Sequence, residues 1–273
     1  NGRCYYYKGN YTMAIANFNY ILNDEQFEES KIRPEVQLWL AKTYYVTGNA
    51  YRAGEALNNL PNPDDIDNDT EVEIAKMKAQ LLIEQEKYSD AAAALQNVLG
   101  KVKGRRDKAR INFVLGQLFA EMEGFDQAYD YYDAVARIDY SNELTFRALL
   151  GIADLYADPN NPDAAAGMAG VRTRLKKLLD DIKYESYHDQ IYYQFAKLEK
   201  QQGNTEGALE NYRKSVQTNA GNQRQLVLSL YDAGKIFFYE TQQLDSAQAY
   251  FNQAASAVQP EMQEYDEIKT IAA

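Results

Sequence analysis

YYQFAKLEKQQGNTEGALENYRKSV, residues 192–216, contains two apolar stripes of helical period separated by Gly203-Asn204. In its second half Ala208, Tyr212 and Ser215 stand four and seven positions apart, which puts them on one face of a helix. Twelve residues before Ala208 lies a second small residue, Ala196, in the first half. Two small residues facing one another let two helices approach closely. Glycine between them can take the left-handed conformation that ends a helix. The stretch reads as helix, tight turn, helix.

The pattern recurs along the whole chain. Its other sets are Ala14/Phe18/Ile21, Ala53/Leu57/Leu60, Ala91/Leu95/Val98, Ala128/Tyr132/Val135, Val171/Leu175/Leu178 and Ala247/Phe251/Ala254. First members follow one another at 39, 38, 37, 43, 37 and 39 residues. Gly2, Ala41, Ala79 and Gly116 stand twelve residues ahead of four of these sets, and Gly234 is one residue further from Ala247. Gly9-Asn10, Gly48-Asn49 and Gly124-Phe125 repeat the turn signal. A single hairpin cannot bury its apolar face, whereas stacked neighbours can, so a solenoid is expected.

These residues match a family. LWLAKTYYVTGNAYRAGEAL, FVLGQLFAEMEGFDQAYDYYDAV and the opening stretch resemble tetratricopeptide repeats, a motif of small and aromatic residues at set positions with a period of about 34. The resemblance implies an all-α fold, a right-handed superhelical solenoid of about seven helix-turn-helix repeats forming one array over residues 1–273. The repeats fall at approximately 1–28, 34–67, 72–100, 109–142, 143–182, 189–222 and 227–260. Surplus residues belong in joining loops such as Asp24 to Arg33 and Pro61 to Thr70. In the fifth repeat DPNNPD (Asp158 to Asp163) precedes a longer second helix. Register places both ends of the segment inside repeats, so a piece of a longer array is expected.

Composition narrows the chemistry. The formal charge of −11, from 40 acidic and 29 basic residues, disfavours nucleic acid or an anionic membrane surface as principal partner. One cysteine and one histidine leave thiol–histidine and zinc sites without their parts. There is no run of about 18 apolar residues and no cleavable leader in this segment. Neither a glycine-rich phosphate loop nor a GxSxG elbow is present. Asp65, Asp67 and Asp69 open like a calcium loop, but Thr70 stands where glycine is needed and Lys76 where glutamate is, so the stretch reads as an acidic cap of the next helix. Asp64-Asp65 and Asp180-Asp181 read as solvated charge, and His188 as a surface or capping residue. No catalytic residue, cofactor or metal is expected. Cys4, preceded by Arg3 rather than small residues, reads as a partly buried packing residue in a first helix, with Tyr5 on the packed face and Tyr6 and Tyr7 turned towards the concave side.

Tetratricopeptide proteins bind partners on a concave face built from first helices. Carrying over its motif positions gives Arg3, Tyr6, Tyr7, Lys42, Tyr45, Lys76, Arg110, Phe113, Arg147, Tyr193, Lys197, Lys200, Tyr231, Lys235 and Phe238 as the candidate partner-binding residues. Eight cations against five acids (Glu35, Glu73, Glu84, Glu121, Asp154) make this face more basic than the chain. Aromatic and cationic side chains on a rigid surface suit an extended or helical peptide bearing acidic groups. The asparagine–lysine–arginine clamp of chaperone adaptors does not appear, since the ninth motif positions are Lys42, Gln80, Gln117, Gly151, Lys197 and Lys235.

Four blocks are closer to one branch of the superfamily: ANFNYILND, DKARINFVLGQLFAEMEGFDQAYDYYDAVARID, YHDQIYYQFAKLEKQQGNTEGALENYRKSVQTN and SAQAYFNQAASAVQPEMQEYDEI. They are similar, in the same order, to the large tetratricopeptide lipoproteins of type IX secretion and gliding motility in Bacteroidetes, the PorW/SprE family. That resemblance implies a periplasmic scaffold anchored to the outer membrane by a lipidated N-terminus outside this segment. Its partners would be secretion translocon and periplasmic ring components, with no nucleic acid, small-molecule substrate or enzymatic activity. Other bacterial tetratricopeptide scaffolds or assembly lipoproteins, and the regulatory array of a larger sensor or enzyme, stay open as alternatives.

Overall fold

The computed structural model describes residues 1–28, 30–58, 60 and 66–272. These form helices and connecting turns, with no strand among the described residues. The chain falls into two compact units, Asn1–Tyr131 and Tyr132–Ala273.

The first unit contains α1 (Gly2–Tyr7), α2 (Tyr11–Asn23), α3 (Arg33–Val46), α4 (Ala50–Asn58), α5 (Asn68–Ile83), α6 (Tyr88–Leu99) and α7 (Arg105–Glu121). It ends within α8 (Phe125–Ile138). Consecutive helices pair as hairpins, α1 with α2, α3 with α4 and α5 with α6, and α3 also meets α5. The small residues at these crossings are the reason the pairs close up. Ala14, Ala41, Ala53, Ala79 and Ala91 are almost wholly buried. A Cβ at Gly2 would stand 2.4 Å from the Phe18 ring, so only glycine lets α1 lie on α2. Leu57, Leu95 and Leu115 fill the adjoining core, each worth roughly 1.5–3 kcal/mol of transfer free energy.

The turns use both members of the Gly-Asn signal. Gly9 and Gly48 take φ of 74° and 80°. At the first turn the Gly9 and Asn10 amides donate to Tyr6 and Tyr5 carbonyls, a Schellman closure. Asn10 and Asn49 then accept the Met13 and Arg52 amides through their side chains and open the next helix. Gly124 departs from expectation: the left-handed residue is Glu123, at φ 56°. Gly124 instead gives room at the turn: a Cβ there would crowd Phe119, 3.1 Å from its ring and 3.3 Å from its carbonyl oxygen.

Cys4 is exposed, contrary to the packing role expected of it. Gly2, Tyr5 and Tyr6 occupy the side of α1 turned to the core, and a residue two beyond Gly2 points about 200° away. Pro34 sits in the first turn of α3. The Asp24 to Arg33 connection contains a short 3₁₀ turn, Glu25–Phe27. Asp67 caps α5 by accepting the Asp69 and Thr70 amides at 3.1 and 3.0 Å, whereas Pro61, Asp64 and Asp65 lie outside the described residues.

The second unit continues with α9 (Asn142–Ala157), α10 (Ala164–Asp180), α11 (His188–Gln201), α12 (Thr205–Gln217), α13 (Gln223–Lys235), α14 (Leu244–Ala257) and α15 (Tyr265–Ile271). Again neighbours pair, α9 with α10, α11 with α12 and α13 with α14, while α11 also meets α9 and α13. Gly203 has φ 73° and Asn204 caps α12, repeating the first unit's turn. DPNNPD is an ordered connection: buried Asn161 donates to the Leu155 carbonyl at 2.8 Å and accepts the Asp163 amide at 2.9 Å. The extra residue between Gly234 and Ala247 has a structural cause. Ile236–Glu240 forms a π turn, in which the Thr241 amide reaches back five residues to the Ile236 carbonyl.

Candidate protein-interaction face

Glu35, Trp39, Lys42 and Val46 recur at helical spacing on α3, on the side away from buried Val36, Leu40 and Thr43. Trp39 is half-buried. Tyr6 and Tyr7 of α1 meet its indole edge-on, with centroids 5.3 and 5.6 Å away. The Arg3 guanidinium stands 4.8 Å and the Lys42 ammonium 5.1 Å from the ring centroid. Arg3 is held by Glu35 at 2.8 Å. The indole is thus fixed by two phenols and two cations, each cation–π contact worth about 0.5–1 kcal/mol at an exposed site. Tyr7 stays 71% exposed. Trp39 is not among the expected site residues, although its spacing from Glu35 and Lys42 carries the signal.

From Lys42 the row crosses to α5. Glu73 accepts Lys42 at 2.8 Å and Lys76 at 2.5 Å. Burial raises the Glu73 carboxyl, but the two ammonium groups outweigh it and hold it below the usual carboxylate range. Tyr45 donates its hydroxyl to Glu84 and accepts from Gln80 at 3.0 Å.

In the second unit a similar row links alternate helices. Lys197 of α11 bonds Asp154 of α9. Tyr193 donates to Asp232 of α13 at 2.6 Å, and Lys235 pairs with the same carboxylate at 2.6 Å. Lys235 also lies 4.4 Å from the Tyr231 ring centroid, while Tyr231 donates to Glu267 of α15. Burial, then the neighbouring carboxylate, pushes the Tyr193 and Tyr231 hydroxyls far above an ordinary phenol. These phenols are hydrogen-bond donors at neutral pH, not bases.

Charge on this face differs from the sequence expectation. Arg3, Lys42 and Lys197 are neutralised by acids on a neighbouring first helix, Lys76 and Lys235 by Glu73 and Asp232 on their own helix, and Arg147 by Glu143 one turn back at 2.9 Å. Asp232 and Glu267 are the acids that motif positions alone do not reveal. Arg110 and Lys200 are exposed and make no ion pair with a described residue. Tyr231 is buried and takes part through its hydroxyl and its ring contact with Lys235. Phe113 is half-buried on α7. Phe238 is 41% exposed at the π turn, edge-on to Tyr239 at 4.8 Å.

Two further features lie outside this face. An open cleft of about 430 Å³ between α2, α3 and α4 is lined by Arg33, Gln37, Tyr44 and Arg52 among others. At the foot of α11, Asp189 is fully buried, accepting the Gln190 amide and the Asn219 side chain at 2.8 Å each. Ser215 donates to the Asp189 carbonyl at 2.6 Å and shares a 2.7 Å hydrogen bond with Ser229. His188 stands where a 3₁₀ turn, Ile182–Tyr187, ends and α11 begins, the C-cap of that turn. It is half-buried, 6.4 Å from Tyr192, and its Nε2 has no hydrogen-bond partner among the described residues. Among the described residues no group of three acidic, histidine or cysteine side chains could hold a metal ion, and no helix is long and apolar enough to cross a membrane.

Comparison with known proteins agrees with this architecture. Tetratricopeptide repeat profiles match residues 76–143 and 189–222. No curated protein matches the sequence. The C-terminal part of a tetratricopeptide repeat-containing protein from Cytophaga hutchinsonii is similar at TM-score 0.64 and 15% identity, over 98% of this chain and 97% of that one. A tetratricopeptide repeat protein from Parabacteroides merdae follows at 0.59 and 16%, over 99% and 94%. The quorum sensor NprR from B. thuringiensis in its apo form scores 0.61 at 9% identity, over 89% and 69%. NprR in complex with its cognate peptide NprX scores 0.53 at 12%, over 89% and 72%. Identities this low establish a shared fold.

Proposed function

We propose that the chain is a non-catalytic scaffold whose first helices present an aromatic and hydrogen-bonding face to partner proteins. The observation that carries this reading is the Trp39 cluster, in which Arg3, Lys42 and Tyr6 fix an indole beside an exposed Tyr7. Pre-ordered aromatics offer contact area without the entropy cost of ordering on binding. A protein of similar fold, NprR, has been solved with a cognate peptide, which supports peptide or partner-segment binding here.

More specifically, we propose a periplasmic component of type IX secretion and gliding motility that links the translocon to the periplasmic ring. It would be held at the outer membrane by a lipid anchor outside residues 1–273. The four similar sequence blocks support this assignment. The likeness to NprR favours a second reading, a peptide-responsive array regulating a larger sensor.

Tagged full-length protein purified from its native cells distinguishes the two. Co-purification with outer-membrane translocon and periplasmic ring proteins is expected, together with reduced retention for Tyr7→Ala. Recovery in the cytoplasm with a bound peptide would replace the secretion reading by the sensor. Retention unchanged by Tyr7→Ala would remove the Trp39 face as the contact.

A further inference from the structure

KVKGRRDKAR, residues 101–110, carries six cations and one acid, Asp107, in a chain of formal charge −11. Lys101 and Lys103 precede α7, and the other four cations lie in its first two turns. Lys101 is held by Glu71 at 2.5 Å, and Lys103 is loosely paired with Asp69 at 3.4 Å. Arg106, Lys108 and Arg110 are exposed, and their side chains make no hydrogen bond or ion pair with any described residue.

Local electrostatics opposes this arrangement. The N-terminal turn of a helix favours acids and disfavours cations, and Arg106 and Arg110 form a like-charge pair one turn apart. Elsewhere most cations of the first helices have an acid set against them, as in Arg3–Glu35, Lys42–Glu73 and Lys235–Asp232. Arg106, Arg110, Phe113 and Gln117 recur at i, i+4, i+7 and i+11, forming one strip along α7. We infer that this strip docks an acidic segment of a protein partner, with carboxylates on the Arg106 and Arg110 guanidiniums and an apolar side chain against Phe113.

Guanidinium binds carboxylate bidentately, which an ammonium cannot do. One helical turn between the arginines, about 6 Å, matches carboxylates at i and i+4 of a helix or i and i+2 of an extended segment. Nucleic acid is the poorer occupant because the chain's overall negative charge repels a dense polyanion, whereas two or three carboxylates meet only the local cations. The inference rests on the protein-interaction reading for the class of partner alone.

The test uses a fluorescein-labelled peptide with four glutamates at alternate positions in a serine-glycine background, followed by anisotropy at low and high salt. Wild type is expected to bind it, and the R106E/R110E variant to bind about tenfold or more weakly, as for loss of close charge pairs. The thermal midpoint of that variant should be unchanged or higher, since acids now occupy the first turns. R106Q/R110Q, which removes charge without reversing it, should lose binding too. Equal binding by wild type and variants overturns the inference, as does a wild type that does not bind. Tighter binding of a single-stranded oligonucleotide of equal charge would overturn it in favour of nucleic acid. Tyr7→Ala should leave peptide binding unchanged, so the strip and the Trp39 face are scored separately.

Discussion

Asp189 and Glu73 show at the level of single residues how burial and partners set opposite signs. Burial raises the Asp189 carboxyl although two amides donate to it, whereas Lys42 and Lys76 overcome burial and lower Glu73. A folded-state value raised above the unfolded one gives stability that is complete below the unfolded value and lost as pH rises through the folded one. A lowered value gives stability that is present above the unfolded value and lost as pH falls. Asp189→Asn should therefore gain on wild type in melting midpoint as pH rises from about 4 to neutrality. Glu73→Gln should fall behind wild type over the same rise, by a small margin because Glu73 is partly exposed. Drift of both differences in one direction would refute the assignment. Neither environment was legible in the sequence. Asp189 adjoins His188 in YHDQ, where a charged pair at a helix start reads as solvent-facing, and its burial depends on Ser215 of α12, Ser229 of α13 and Asn219 between them. Cys4 differs for a simpler reason: Gly2 fixes which side of α1 is buried, and Cys4, two residues on, points to the other side.

Helices, by contrast, could be read with few errors because their signal is local. A small residue followed by packing residues at four and seven positions locates the second helix of each hairpin, and Ala14, Ala53, Ala91, Ala128, Val171, Ala208 and Ala247 are all buried. Even the irregular spacing before Ala247 had a physical cause, the π turn at Ile236–Glu240. What spacing could not supply was the identity of the left-handed residue at each turn, since Glu123 takes a conformation expected of its glycine neighbour. The packing argument has a direct check within one helix. On α14, Ala247 is buried and Ala249, two residues on, is exposed. Ala247→Leu should cost roughly 1–3 kcal/mol by overpacking, whereas Ala249→Leu should be nearly neutral. Equal effects in urea denaturation would mean that the hairpin register is displaced.

At the scale of the whole chain, composition and pattern answer different questions. A charge of −11 disfavours some classes of partner, yet it conceals both the neutralised rows on α3–α5 and α9–α15 and the cationic strip of α7. Those rows join residues more than 30 positions apart, as in Tyr193–Asp232 and Lys42–Glu73. Motif positions could nominate Lys42 and Lys197, but the acids that meet them, Glu73 and Asp154, come from adjacent hairpins, so their pairing required the fold; Lys235 meets Asp232 on its own helix. The same geometry limits how far a perturbation can travel. Within the second unit α14 packs on α13, the π turn and α15, while α9 packs on α10 and α11. In an array stabilised by nearest-neighbour interfaces, a defect lowers local stability most where it is placed. Ala247→Leu should therefore accelerate amide exchange in α13, α14 and α15 strongly, in α12 less, and in α9 and α10 least. Hydrogen exchange that speeds up equally from α9 to α15 would mean that the second unit opens as one cooperative body, and that the rows from Asp154 to Glu267 couple its hairpins more strongly than their packing does.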